Sequence, residues 1–117
     1  MKLPLLQIAR ITAWSLASIV VSLSVVPPHL RPETGAPNAL EHFAIYFITA
    51  FSFGLGYDLG LGLLTTLLVT FCGLIEIVQL LVPGRHARLS DFIVDALAVC
   101  VGSILALMIT RERRRRL

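Results

Sequence analysis

The stretch GLIEIVQLLVPGRHARLSDFIVD, Gly73 to Asp95, joins the end of one long apolar segment to the start of another. Glu76 and Gln79 interrupt the first segment, and two arginines, a histidine and two aspartates follow within a short distance. A charged side chain at the bilayer centre costs at least about 2.5 kcal/mol unless it faces protein and has partners. The stretch therefore predicts two membrane helices whose polar residues turn toward the protein interior.

The composition of the whole chain supports a membrane protein. Of its 117 residues, 56% are hydrophobic and 15% are charged, a balance typical of membrane proteins. A helix that crosses the roughly 30 Å hydrocarbon layer needs about 20 mostly apolar residues, and four such helices fill the chain. We therefore expect an all-α membrane protein, a four-transmembrane-helix bundle formed as a single domain over residues 1–117.

Four apolar segments mark the expected helices, and proline- or glycine-containing turns separate them. The expected spans cover about residues 5–26, 40–57, 59–82 and 91–110, and a basic cytoplasmic tail follows over 111–117. The first helix can begin as early as Pro4, and Arg10 would extend toward lipid head groups. The third segment is the longest, so we expect it to be tilted.

The basic residues predict the orientation of the bundle. Lys2, Arg10 and the five arginines of residues 111–116 fall on one side of a four-span chain, against Arg31, Arg85 and Arg88 on the other. By the positive-inside tendency, both termini are expected on the cytoplasmic side of a bacterial inner membrane. The RERRRR run attracts anionic head groups. A nucleic-acid tail is its alternative interpretation, but we expect a topology anchor and no nucleic-acid partner.

The same topology collects the remaining polar residues at the outer end of the bundle. The candidate binding cluster contains His42, Glu76, Gln79, Arg85, Arg88, Asp91 and Asp95. Glu76 precedes Val82 by six residues, which places it about 9 Å inside the helix end. We expect Arg85 and Arg88 to return over the end of the third helix and to pair with its carboxylate.

Helical spacing predicts which face of each helix turns inward, because positions three, four or seven apart share a face. The expected inward sets are Ser15, Ser18 and Ser22; His42, Tyr46 and Thr49; Gly73, Glu76 and Gln79; and Asp91, Asp95, Ala98 and Gly102. Small residues allow close backbone approach in lipid, so Gly73, Ala98 and Gly102 should let the third and fourth helices pack closely.

The cysteines and the charge balance limit the chemistry. Cys72 and Cys100 lie within apolar runs without a CxxC partner, so we expect packing residues, no metal site and no cofactor. On the outer side, three arginines face five carboxylates. This net negative charge disfavours a simple phosphate trap, unless burial protonates Glu76 and Asp95.

The order of these residues resembles the VanZ-like family of small integral membrane proteins. The resemblance covers about residues 27–103 and rests on Glu41-His42-Phe43, the E-x-x-Q of Glu76 to Gln79, Val82-Pro83-Gly84-Arg85, and Ser90-Asp91-Phe92 with Asp95. It implies a multi-span membrane protein, and the namesake of the family is associated with low-level teicoplanin resistance. The chain departs from the pattern at Asn38-Ala39, where many members have Asp-Lys, and at Asp95, where many have asparagine.

Three functions are compatible with the cluster. In a first interpretation, the cluster has a structural role and fixes the order of the helices, with Arg85 bridging Glu76 and Asp91. In a second interpretation, the cluster binds a membrane lipid, a lipid-linked envelope precursor or an amphiphilic, glycopeptide-like compound at the outer leaflet. As a hydrolase or transferase, the protein would use Glu76 and His42 as acid and base, or add the aspartates as ligands of a divalent ion. We expect the binding function; the sequence does not indicate the oligomeric state.

Overall fold

The computed structural model describes residues 3–25, 38–81 and 89–116, and four α-helices account for nearly all of them. The helices are α1 (Leu3–Val25), α2 (Asn38–Gly56), α3 (Leu61–Leu80) and α4 (Leu89–Arg116). The expected all-helical architecture is therefore confirmed over the described residues.

Three of these helices are long and apolar enough to cross a membrane: α1, α3 and α4 over Leu89–Arg113. The apolar part of α2 is shorter, Leu40–Gly56. At 1.5 Å per residue, the 19 residues of α2 extend about 28 Å, close to the roughly 30 Å of a hydrocarbon layer. The outer faces of the helices carry many exposed leucine, isoleucine and valine side chains. Helices of this length with an apolar exterior indicate a membrane protein.

The boundaries of α1 and α3 follow from local sequence. α1 begins at Leu3 with Pro4 in its first turn, where proline leaves no hydrogen bond unmade. Between α2 and α3 the connection is very short, and the Tyr57 N–H donates to the Phe53 carbonyl oxygen at 3.0 Å. Gly60 is extended (φ −66°, ψ 157°) at the start of α3. Helix α3 therefore begins at Leu61, two residues later than expected.

The longest described helix is α4, although the third apolar segment is the longest of the four in the sequence. α4 has 28 residues and α3 has 20. Its last turns run through the basic segment as far as Arg116, because arginine and glutamate favour helices and Arg116 pairs with Glu112 at 3.2 Å. At about 42 Å, α4 is longer than a hydrocarbon layer is thick. The basic segment thus continues α4 as a helical extension as far as Arg116.

The helices alternate in direction. α2 and α4 share the most extensive contact and run parallel, because His42 meets Asp95 near their starts and Gly54 meets Ala106 near their ends. The start of α1 lies beside the end of α2, where Arg10 reaches Gly56. Late α3 faces early α4, so these two helices are antiparallel.

This arrangement defines two ends of the bundle. The polar end is formed by the last turns of α1 and α3 and the first turns of α2 and α4, and the basic end is formed by the opposite four termini. The even number of helices therefore brings polar residues from distant parts of the chain to one end, as the sequence predicted.

Helices α2 and α4 approach closely through glycine. A Cβ on Gly102 would lie 2.6 Å from the Phe47 carbonyl oxygen and 3.1 Å from the Ala50 Cβ. A Cβ on Gly54 would lie 2.5 Å from the Ala106 Cβ. The prediction that Gly102 packs α4 against α3 is wrong, because this glycine faces the parallel neighbour α2.

Of the other small residues predicted to pack α3 against α4, Gly73 does contact the start of α4. A Cβ on Gly73 would lie 3.7 Å from the Phe92 ring, which is ordinary van der Waals contact, and Ala98 is completely buried. Cys72 is buried in the same core and Cys100 is partly buried; both are free thiols. Cys72 thus packs as a small apolar residue.

The predicted inward face of α1 is also wrong. Ser15, Ser18 and Ser22 are exposed, while Ala13, Val20 and Ser24 are the buried positions. The hydroxyls of Ser18 and Ser22 each donate to a carbonyl oxygen one turn earlier in α1, at 2.9 Å. Because these hydroxyls are satisfied within their own helix, they do not need a partner on another helix. The small and branched side chains occupy the packed face instead.

Candidate polar site at one end of the bundle

A buried histidine–aspartate pair connects α2 and α4 at the polar end. Nδ1 of His42 lies 3.1 Å from Oδ1 of Asp95, and the two side chains are 15% and 1% exposed. With the carboxylate ionised, the imidazole N–H donates to it, so Asp95 has its partner inside the protein. The two residues are 53 positions apart. Their bond therefore fixes the register of the two parallel helices.

The inward face of α2 supports this histidine. The rings of His42 and Tyr46 stack with centroids 6.3 Å apart and planes 21° apart. Tyr46 and Thr49 are both buried, and the Thr49 hydroxyl donates to the Ile45 carbonyl oxygen at 2.6 Å. The spacing that predicted a shared inward face for His42, Tyr46 and Thr49 is thus consistent with their burial.

Glu76 occupies the adjacent position on α3. Its Oε1 atom is buried and has no hydrogen-bond partner among the described residues. The charges of Asp91, Asp95 and His42 act on this carboxylate, which places it within the same cluster. A buried carboxylate oxygen without a donor is unusual, since removal from water is compensated only by new hydrogen bonds. Glu76 therefore differs from the bonded His42–Asp95 pair, because its buried oxygen has no described donor.

The structure brings most of the predicted site residues together. His42, Glu76, Asp91 and Asp95 lie at the polar end, with Asp91 partly exposed in the first turn of α4. Gln79 is buried on α3, three residues beyond Glu76. The remaining predicted residues, Arg85 and Arg88, lie outside the described residues, so their expected pairing with Glu76 is untested.

The described part of the polar end is acidic. It contains Glu41, Glu76, Asp91 and Asp95, and within residues 3–25, 38–81 and 89–116 no lysine or arginine lies at this end. Across these same segments, no group of three or more His, Cys, Asp or Glu side chains is arranged to hold a metal ion. An acidic lining attracts cations and hydrogen-bond donors and repels phosphate.

A second cluster, at the basic end, was not predicted as a unit. Nε of Arg10 donates to the Gly56 carbonyl oxygen at 2.7 Å, and its guanidinium carbon lies 4.7 Å from the centroid of the Tyr57 ring. Nε1 of Trp14 donates to the Tyr57 hydroxyl at 2.7 Å. Trp14 also meets Phe53 edge to face, with centroids 5.2 Å apart. Sequence analysis considered Arg10 only as a residue that extends toward lipid head groups. No spacing pattern joins it to Trp14, in the middle of α1, or to Tyr57, which follows the end of α2.

Comparison of the chain with models of protein families, with curated proteins and with solved structures finds no match. The class of protein is therefore defined by the fold and the site alone: a bundle of apolar helices with a partly buried acidic cluster at one end and a basic, aromatic cluster at the other.

Proposed function

We propose that this protein is a four-span membrane protein of the VanZ-like type that binds the polar head of an envelope amphiphile at the outer leaflet. The observation that carries the proposal is the buried Oε1 of Glu76, which has no hydrogen-bond partner among the described residues. This atom lies beside the His42–Asp95 pair, in the acidic part of the bundle. A ligand that donates a hydrogen bond to it would complete the cluster.

The cluster divides into a structural pair and a binding group. His42 and Asp95 are bonded to each other, and their bond holds α2 against α4. This explains their burial without a ligand. Glu76 lacks such an explanation, because its buried oxygen meets no donor among the described residues. The carboxylate of Glu76 is therefore the group that we assign to the ligand.

The charge of the site favours one kind of ligand head. Four carboxylates lie at the described polar end, so a head group rich in hydroxyl or amine donors fits better than a bare phosphate. Sugar and peptide portions of lipid-linked envelope precursors have such donors, as do glycopeptide-like amphiphiles. The apolar outer faces of the helices would meanwhile contact the acyl chains. Ordinary membrane lipids with hydroxyl-bearing heads belong to the same chemical class.

The proposed topology places this site outside the cell. α2 is flanked by α1 and α4, so its slightly short apolar segment crosses the layer inside a bundle and not alone. The basic extension of α4 and Arg10 lie at the opposite end, which the positive-inside tendency assigns to the cytoplasm. Both termini are then cytoplasmic in a bacterial inner membrane, and the polar end faces the outer leaflet.

Native mass spectrometry of the protein extracted from its membrane tests the binding function. The wild-type protein should retain an amphiphile, and Glu76→Gln should lower the bound fraction about tenfold, because a charge-assisted hydrogen bond is roughly twice as strong as a neutral one. Glu112→Gln is the matched control, since it makes the same change on an exposed carboxylate at the basic end. It should retain the amphiphile.

The same experiment distinguishes binding from a structural role. If Glu76 only fixes helix order, Glu76→Gln should lower the melting temperature, and the wild-type protein should carry no specific amphiphile. A folded Glu76→Gln protein that retains as much amphiphile as the wild type would contradict the binding assignment.

A hydrolase or transferase is a second candidate, favoured by the His42–Asp95 geometry. A carboxylate bonded to imidazole Nδ1 is the arrangement that orients a general base, and Glu76 would then act as the acid. Incubation of the protein with its co-purified amphiphile separates the two candidates. Catalysis should change the mass of the amphiphile and His42→Gln should abolish that change, whereas binding alone leaves the mass constant.

A further inference from the structure

Arg10 is held in position at the basic end with most of its donors unused. A guanidinium has five N–H donors, and one of them, on Nε, bonds to the Gly56 carbonyl oxygen at 2.7 Å. The two Nη groups have no hydrogen-bond partner among the described residues, and Arg10 is exposed. Because Nε is fixed to the end of α2, the Nη groups form a planar fork of defined direction.

Aromatic residues frame this fork. The guanidinium lies over the ring of Tyr57, with 4.7 Å between its carbon and the ring centroid. The Tyr57 hydroxyl accepts a hydrogen bond from Trp14 and still has its own O–H to donate. Trp14 is 58% exposed, so one side of its indole faces the surroundings of the bundle. Tryptophan and tyrosine with an arginine are typical of the level of lipid head groups.

Glycine at residue 56 leaves room for this close contact between α1 and the end of α2. A Cβ there would lie 3.0 Å from Cγ of Arg10 and 3.2 Å from its backbone nitrogen. A Cβ at this position would need α1 to shift by a few tenths of an ångström relative to the end of α2. The position of Arg10 is therefore determined by the close contact of two helices and not by a flexible side chain alone.

The basic end of the bundle has a positive net charge by sequence. Seven basic residues belong to the basic end by sequence, namely Lys2, Arg10, Arg111 and Arg113 to Arg116, against the two acidic residues Asp58 and Glu112. Arginine binds phosphate through paired N–H donors, and basic residues near a membrane surface attract anionic lipids.

We propose that Arg10, Trp14 and Tyr57 form a binding site for the phosphate of an anionic phospholipid. The two Nη groups would donate to two phosphate oxygens, the Tyr57 O–H to a third polar atom of the head, and the exposed face of Trp14 would contact the start of an acyl chain. The site lies at the opposite end from Glu76, so it does not depend on the function proposed for the polar end.

The fluorescence of Trp14 tests the site directly, because Trp14 is the single tryptophan of the chain. The protein is reconstituted into phosphatidylcholine vesicles that contain a small fraction of either brominated phosphatidylglycerol or brominated phosphatidylcholine. Brominated phosphatidylglycerol should quench Trp14 at about fivefold lower mole fraction, the ratio that about 1 kcal/mol of extra binding through the paired N–H donors of the guanidinium would give. Equal quenching by the two lipids would overturn the proposal.

Two substitutions separate a specific site from general attraction. Arg10→Gln should abolish the preference, whereas Arg113→Gln, which removes one charge from the exposed extension of α4, should preserve it. A loss of preference in Arg113→Gln equal to that in Arg10→Gln would show diffuse attraction and reject the site.

Arg10→Lys keeps the test valid if Arg10→Gln does not fold. It retains the positive charge but lacks the planar fork, so it should lose most of the preference while helix content and quenching by brominated phosphatidylcholine stay at wild-type levels. Full preference in Arg10→Lys would contradict the proposed two-oxygen contact.

Discussion

The two ends of the bundle hold their charged side chains in opposite ways. At the polar end, Asp95 is 1% exposed and finds its partner, His42, on another helix. At the basic end, Arg10 is exposed and its Nε–H bonds to a main-chain carbonyl oxygen, at Gly56. At the polar end, two side chains bond to each other across two helices. At the basic end, one side chain bonds to the main chain at the end of another helix.

The difference follows from the length of the side chains. An arginine has a long apolar stem, so it can start inside a membrane helix and place its charge at the surface. Aspartate and glutamate are too short for this, so a carboxylate within a helix must find a donor inside the protein. Asp95 has such a donor, whereas the buried oxygen of Glu76 has none among the described residues. The binding proposal therefore concerns the acidic end.

The largest expected effect comes from breaking the pair at the polar end. Asp95→Ala should lower the free energy of unfolding by about 2 kcal/mol, because it leaves the partly buried His42 without its acceptor. Asp95→Asn keeps an oxygen that can accept the imidazole N–H, so it should cost much less. Denaturant titration in detergent micelles measures both variants, and equal losses would show that the hydrogen bond is not what holds α2 and α4 together.

A smaller loss is expected at the basic end. Gly56→Ala should lower the free energy of unfolding by about 1 kcal/mol, since its Cβ would approach the backbone of Arg10. Gly62→Ala is the matched control, because a Cβ on Gly62 meets no atom within 4 Å. The same titration should show no loss for this control. A neutral Gly56→Ala would mean that α1 and α2 separate at this end without cost.

The smallest effect concerns a residue between the two ends. Ser103 is completely buried on α4, and its hydroxyl has no hydrogen-bond partner among the described residues. Ser103→Ala should therefore raise the free energy of unfolding by about 0.5 kcal/mol, since it removes an unsatisfied buried group with little change in volume. Ser22→Ala, on the exposed face, is the control and should have no effect. A destabilised Ser103→Ala would indicate that a polar partner reaches this position in solution.

The elements that sequence analysis predicted well are those set by local composition. The apolar segments predicted the four described helices, and the expected spans 40–57 and 59–82 predicted the very short connection after α2. The helical spacing of His42, Tyr46 and Thr49 gave the inward face of α2 because three polar or aromatic residues on one face of an apolar helix need a protein environment.

Two errors concern the direction in which a helix face turns. The serines of α1 were expected inside, but hydroxyls that bond to their own helix are stable outside. Gly102 was assigned to the contact with α3, although it packs against α2. Both α2 and α3 contain small residues that contact α4, namely Gly54 and Gly73. The sequence does not indicate which of the two helices approaches α4 more closely.

The sequence by itself determined the number of helices in the described chain, their apolar exterior and the collection of acidic residues at one end, because these depend on local runs and on the parity of the helices. Only the tertiary structure decided that Asp95 pairs with His42, that Glu76 keeps a buried oxygen without a described donor, and that Arg10 reaches Gly56. Each of these features depends on how helices that are distant in sequence rotate and approach each other. Tertiary packing determines that geometry, and no local sequence pattern specifies it.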